Sequence, residues 1–74
     1  MDQTQLLRRL AQAEQRVVQG EQHATRQRKV VVDQEQDGRD ASKARELLAR
    51  FEEQQAMRVA DRDWLKSELS RIST

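Results

Sequence analysis

The residues of this 74-residue chain that could take part in chemistry are few and scattered. His23 is the single histidine and cysteine is absent, so a zinc site made by this chain alone is not expected. Two pairs of carboxylates, Glu52 with Glu53 and Asp61 with Asp63, lie close in sequence. General acid–base catalysis, however, needs a desolvated cleft that shifts a pKa. We interpret His23 as a solvent-exposed residue of a helix.

The sequence motifs of catalysis are missing as well. No serine lies in a nucleophile elbow, and no glycine-rich loop is present to hold a phosphate group. We therefore expect a protein that is not an enzyme, with no catalytic residue, no cofactor and no bound metal.

The composition restricts the class of protein further. Lys and Arg number 14 and Asp and Glu number 13, so the net charge is +1, without the basic excess typical of a dedicated nucleic-acid-binding protein. Two glycines and no proline are too few for a many-stranded fold. The length favours one small domain.

The densest basic segment defines the alternative function, which is binding of nucleic acid or another anion. It is Arg26-Gln27-Arg28-Lys29, preceded by Arg16, and acidic residues follow it at once. No aromatic residue lies nearby in sequence to stack on a base. The candidate anion-binding residues are Arg16, Arg26, Arg28 and Lys29.

The midpoint of the chain carries the strongest turn signal, Asp37-Gly38-Arg39-Asp40. Gly38 can adopt the left-handed conformation that ends helices, and Asp40 or Ser42 can cap a following helix. Good helix formers dominate on both sides. The sequence predicts a single all-α domain over 1–74: a helix over 3–36, a turn over 37–39 and a helix over 40–72, folded as an antiparallel two-helix hairpin resembling a coiled coil.

Apolar residues at intervals of three and four predict the seam between the helices. In the first helix the seam residues are Leu6, Leu10, Ala13, Val17, Gly20, Ala24 and Val31, with Arg28 interrupting them. In the second helix they are Ala41, Ala44, Leu48, Phe51, Leu65, Leu69 and Ile72. Folding about Gly38 predicts four facing pairs: Val31 with Leu47, Ala24 with Phe51, Ala13 with Leu65, and Leu6 with Ile72.

A polar layer interrupts the seam of the second helix. Gln55, Arg58 and Arg62 lie at positions where apolar residues are expected, opposite Val17 and Gly20. One interpretation is structural, with the arginine stems covering the seam while their guanidinium groups reach Glu14, Glu21 or solvent. The other is a binding site for an anion or a partner.

A second apolar stripe, about a third of a turn or more from the seam, predicts self-association. An isolated hairpin would expose it, whereas two hairpins packed as a four-helix bundle would bury it. We expect a homodimer, although alanine could also occur there only as a good helix former. The expected interface residues are Leu7, Ala11, Val18, Ala49, Ala56, Met57, Ala60 and Trp64.

Neither a membrane nor export is expected. The longest aliphatic run is only Val30-Val31-Val32, and the first residues are neither basic nor followed by an apolar segment. These features favour a cytoplasmic protein.

Residues 20–69 carry a pattern that resembles a family of short, uncharacterised bacterial proteins of the rhizobial, alphaproteobacterial type. The pattern is Gly20-Glu21-x-His23-x-x-Arg26-Gln27-Arg28, Asp37-Gly38-x-Asp40, Ala44-x-x-Leu47-Leu48-x-x-Phe51-Glu52-x-x-Gln55-Ala56 and Asp61-Arg62-Asp63-x-Leu65-x-x-Glu68-Leu69. The resemblance implies a small cytoplasmic helical hairpin and supplies no active-site residues.

Overall fold

Two long helices account for nearly all of the structure, a computed structural model that describes residues 2–73. The first helix, α1, spans Gln3–Gln36, and the second, α2, spans Ser42–Ser73. They pack along their length in a rod of 56 × 15 × 14 Å. This arrangement confirms the predicted all-α, two-helix hairpin.

Hydrogen bonds at both ends of α1 explain where it begins and ends. The Asp2 side chain accepts a hydrogen bond from the Gln5 amide at 2.8 Å, which satisfies one of the free amides of the first turn. At the other end Gly38 adopts a φ of 72°, and the Arg39 amide donates to the Gln34 carbonyl at 2.9 Å. The left-handed glycine predicted from the sequence therefore closes this helix.

The second helix begins at Ser42, two residues later than predicted. The Asp40 carboxylate accepts hydrogen bonds from both the amide and the hydroxyl of Ser42, so Asp40 stays in the connection. The buried Ala41 accepts the first helical bond, from the Arg45 amide at 2.9 Å. Because the Asp40 side chain accepts this hydrogen bond from the Ser42 amide, residues 40–42 form an Asx turn and not the first turn of the helix.

The seam follows a strict alternation of three and four residues, which is the spacing of a coiled coil. Every buried or half-buried residue of α1 falls on it: Leu6, Leu10, Ala13, Val17, Gly20, Ala24, Gln27, Val31 and Gln34. In α2 the same alternation covers Ala44, Leu48, Phe51, Gln55, Arg58, Arg62, Leu65 and Leu69. Gln27, and not Arg28, therefore fills the seam position before Val31, and Arg28 is exposed.

Two apolar clusters form the core, one near each end of the hairpin. Far from the turn, Leu6, Ala13 and Leu65 are buried together, with Leu10 and Leu69 packed against them. Ala13 and Leu65 share this cluster as predicted. Ile72, which was predicted to face Leu6, is 47% exposed and is not among the residues of this cluster.

The cluster near the turn contains Leu48 where Leu47 was predicted. Val31 is buried with Ala41 and Ala44, and Leu48 packs against them, whereas Leu47 is 40% exposed. Leu48 lies on the three-and-four alternation of the seam, and Leu47 lies one residue to its side. Leu48 thereby takes the place that the sequence had suggested for Leu47.

Candidate interaction faces

The antiparallel seam leaves two opposite faces of the hairpin open. In an antiparallel pair of helices, the residues that flank the seam on one side of α1 lie beside the equivalent flanking residues of α2. Side-chain contacts fix which residues share each face. Arg16 and Asp61 line the same groove on one side, and Arg45 reaches Glu35 at 3.5 Å on the other.

The first face, which we call the tryptophan face, is centred on an open groove between the helices. The groove has a volume of about 320 Å³ and is lined by Arg9, Gln12, Arg16, Asp61, Trp64 and Leu65. Helical spacing extends this face toward the turn through Arg26, Val30, Leu47 and Arg50.

Large apolar side chains are exposed on the tryptophan face. Trp64, which lines the groove, is 51% exposed, and Met57 is 72% exposed. Met57 lines a smaller hollow of about 150 Å³ that also contacts Arg16, Arg58 and Asp61. The ring of Trp64 and the thioether of Met57 therefore lie beside arginine side chains on this face.

The opposite face, which we call the valine face, carries smaller apolar side chains. By helical spacing it comprises Leu7, Ala11, Val18, Val32, Ala49 and Ala56, all of them exposed. Val18, at 56% exposure, lies across the seam from Ala56 near the middle of the hairpin. The half-buried Val59 borders this centre.

The structure therefore divides the predicted dimer interface into three parts. Leu7, Ala11, Val18, Ala49 and Ala56 share the valine face. Met57 and Trp64 belong to the tryptophan face, on the side of the hairpin opposite the valine face. Ala60 lies on the outer side of α2, remote from the seam and from both faces.

The predicted anion-binding patch does not form a single surface either. Consecutive residues of a helix are ~100° apart, so Arg26 and Arg28 project from nearly opposite sides of α1 once Gln27 is in the seam. Arg16 and Arg26 lie on the tryptophan face, Arg28 lies on the valine face, and Lys29 lies on the outer side of α1. Basic residues that are close together in the sequence of one helix therefore do not predict a single basic surface patch.

Charge is segregated between the two faces although the whole chain is nearly neutral. The tryptophan face carries six basic and three acidic residues: Arg9, Arg16, Arg26, Lys43, Arg50 and Arg71, with Asp33, Asp61 and Glu68. The valine face carries three basic and five acidic residues: Arg28, Arg45 and Lys66, with Glu14, Glu21, Glu35, Glu52 and Asp63. This segregation was not predicted from the sequence, because it depends on how each helix is rotated about its own axis in the hairpin.

The polar layer crosses the seam between the two clusters. Gln55 Nε2 donates to the Val17 carbonyl at 2.8 Å and lies 3.3 Å from Glu21 Oε2, while its Oε1 is buried without a hydrogen-bond partner. Gly20 makes this contact possible, because a Cβ there would collide with the Gln55 amide. These direct contacts between α1 and α2 are typical of a structural layer that fixes how the two helices align.

The two arginines of this layer have different surroundings from each other. Arg62 pairs with Asp63, its neighbour in sequence, at 3.0 Å. The Arg58 guanidinium lies over Gly20 and lines the smaller hollow of the tryptophan face. Gln55, and not an arginine, is the residue that contacts Glu21.

His23 and the paired carboxylates lie on the surface. His23 is exposed as predicted, and its ring centroid is 6.0 Å from that of Phe51 at a 45° tilt. Glu52, Glu53, Asp61 and Asp63 are exposed too. Within residues 2–73, no three His, Asp or Glu side chains gather closely enough to hold a metal ion.

The Asp40 carboxyl lies in the connection between the two helices. Hydrogen bonds from the hydroxyl and the amide of Ser42 hold the pKa of the Asp40 carboxyl below its usual value, because both stabilise the charged form. Asp40 is therefore a structural capping group.

No protein-family model, curated protein or solved structure matches this chain. Neither described helix is long and apolar enough to cross a bilayer.

Proposed function

We propose that this protein is a non-catalytic interaction module that self-associates through its valine face into a four-helix bundle. The observation that carries this proposal is a row of exposed apolar residues beside a seam with a small core. Seven apolar residues are buried in the described hairpin, and four of them are alanines. Full burial of a Leu or Val side chain contributes about 1.5–3 kcal/mol. Leu7, Val18 and Val32 are 52%, 56% and 48% exposed, so covering each of them would add about half of that.

The side chains of the valine face suit contact with another pair of helices. Ala11, Ala49 and Ala56 allow helix axes to approach closely, and Val18 provides a central apolar group. The face carries both signs of charge, so a second copy related by a twofold axis can place acidic groups near Arg28, Arg45 and Lys66. A second copy is thus the partner that we propose for this face.

The setting that we propose is the bacterial cytoplasm. The resemblance of residues 20–69 to bacterial helical-hairpin proteins supports this setting. The nucleic-acid alternative has less support, since its four candidate residues point to three sides of the hairpin.

Sedimentation equilibrium tests the proposed association. The wild-type chain should approach twice 8.7 kDa as its concentration rises, and its melting temperature should rise with concentration. Combining Val18→Glu with Ala56→Glu should give a monomer, because it places like charges in the centre of the contact.

Ala60→Glu is the matched control, since it puts the same charge on the outer side of α2. It should leave both the mass and the concentration dependence unchanged. A wild-type chain that stays monomeric up to millimolar concentration would contradict the proposal. So would a double variant of the valine face that dimerises as the wild type does.

A further inference from the structure

We propose that the tryptophan face is a second, separate docking surface, and that it binds an acidic amphipathic helix of a partner protein. This inference does not depend on the self-association proposed for the valine face. It rests on the spacing of exposed apolar groups, on the charge around them and on the groove that contains Trp64.

The exposed apolar residues form two spots along the tryptophan face. Val30 and Leu47, each 40% exposed, form one spot near the turn. Met57 and Trp64 form the other, farther from the turn. Leu47 and Trp64 are about 25 Å apart along α2 at ~1.5 Å per residue, so one helix of about 17 residues could cover both spots. The open groove lined by Arg9, Arg16 and Trp64 lies at the end of this face far from the turn, where it can receive an apolar side chain of such a helix.

The charge of the tryptophan face indicates which kind of helix would bind to it. Arg9 and Arg16 border the groove beside Trp64, and the face as a whole has three more basic than acidic residues. A second copy bound through this same face would oppose like charges. A helix with Glu and Asp on both edges of its apolar stripe would instead face the arginines, which also favours fast association.

The same face is less suited to a nucleic acid. Single strands bind along rows of aromatic side chains, whereas three of the four exposed apolar groups, Val30, Leu47 and Met57, are not aromatic. Burial of these apolar groups together with charge pairing is typical of a helix docked in a groove.

Trp64 provides the measurement, because it is the only tryptophan of the chain and no tyrosine is present. The probe is a synthetic amphipathic peptide of about 18 residues, with leucines at helical spacing and glutamates on both edges of the stripe. We expect a saturable blue shift of the Trp64 emission and an affinity that falls with salt. A peptide with lysines for the glutamates and an oligothymidine serve as comparisons.

Charge reversal on the face tests the site. Arg9→Glu with Arg16→Glu should lower affinity for the acidic peptide at least tenfold and improve binding of the lysine peptide. Arg8→Glu with Lys29→Glu makes the same change in net charge on the outer side of α1 and should leave the affinity nearly unchanged. Circular dichroism and sedimentation confirm that both variants keep the helicity and mass of the wild type.

Three results would overturn the proposal. They are the absence of binding by the acidic peptide, equal affinity for the two peptides, and tighter binding of oligothymidine than of the acidic peptide. The last would identify the tryptophan face as a nucleic-acid surface. A monomeric wild type that still binds the acidic peptide would remove the valine-face proposal alone.

Discussion

Gln27 of α1 donates a hydrogen bond from Nε2 to the backbone carbonyl of Ala44 in α2, at 2.9 Å and out of contact with bulk water. The bond joins the two helices within the cluster nearest the turn. Since a shift of either helix would leave a buried amide without a partner, Gln27 specifies one alignment of the hairpin.

Substitution of Gln27 should separate hydrogen bonding from packing. Gln27→Ala removes the bond, about 1 kcal/mol, and a packed methylene, about 0.8 kcal/mol, so the free energy of unfolding should fall by about 2 kcal/mol. Gln27→Leu keeps the volume, and the Ala44 carbonyl keeps its helical partner, so its cost should stay below about 1 kcal/mol. Urea denaturation followed by circular dichroism, at one protein concentration, measures both. Equal losses in the two variants would show that packing of this residue contributes nothing.

Gly20 and Gln55 should behave as a coupled pair. Alanine normally stabilises a helix by about 1 kcal/mol relative to glycine. In the wild type, Gly20→Ala should lose that gain, because its methyl group displaces the Gln55 amide from the Val17 carbonyl. In a Gln55→Ala background most of the gain should return, because the remaining close neighbour, the Arg58 guanidinium, ends a flexible side chain that can move aside. A double-mutant cycle on unfolding free energies measures the coupling. The same effect of Gly20→Ala in both backgrounds would mean that the contact between Gly20 and Gln55 is energetically neutral.

The turn should become less stable in acid. The pKa of Asp40 is lower in the folded state than its ordinary value of 3.8, so its contribution is complete above that value and is lost as the pH falls through the lowered folded pKa. Asp40→Asn removes the charge but keeps an acceptor oxygen. The wild type should therefore melt at a higher temperature than this variant near neutral pH, and the two should converge in acid. Thermal melts across the acid range test this, and a gap that persists at the lowest pH would contradict it.

Much of the fold could be read from spacing along each helix. The turn at Gly38 and the layer of Gln55 opposite Gly20 follow from residue type and heptad position, which are properties of one helix at a time. The places of Leu47 and Ile72 were predicted less well: Leu47 lies one residue off the seam, and Ile72 lies in the last turn of α2, where it is 47% exposed. The Asx turn at Asp40 makes the connection two residues longer than predicted, and the bond from Gln27 to Ala44 joins the helices beside it.

The amino-acid sequence alone determined that two helices form, where the chain reverses, and which stripe of each helix is buried, since the hydrophobic period is local. Only the tertiary structure decided which remaining residues become neighbours. Each helix has two flanks beside its seam, and the antiparallel packing joins one flank of α1 to one flank of α2. That pairing placed Trp64 beside Arg9 and Arg16, put Val18 with Ala56 on the opposite face, and separated the charges of a nearly neutral chain.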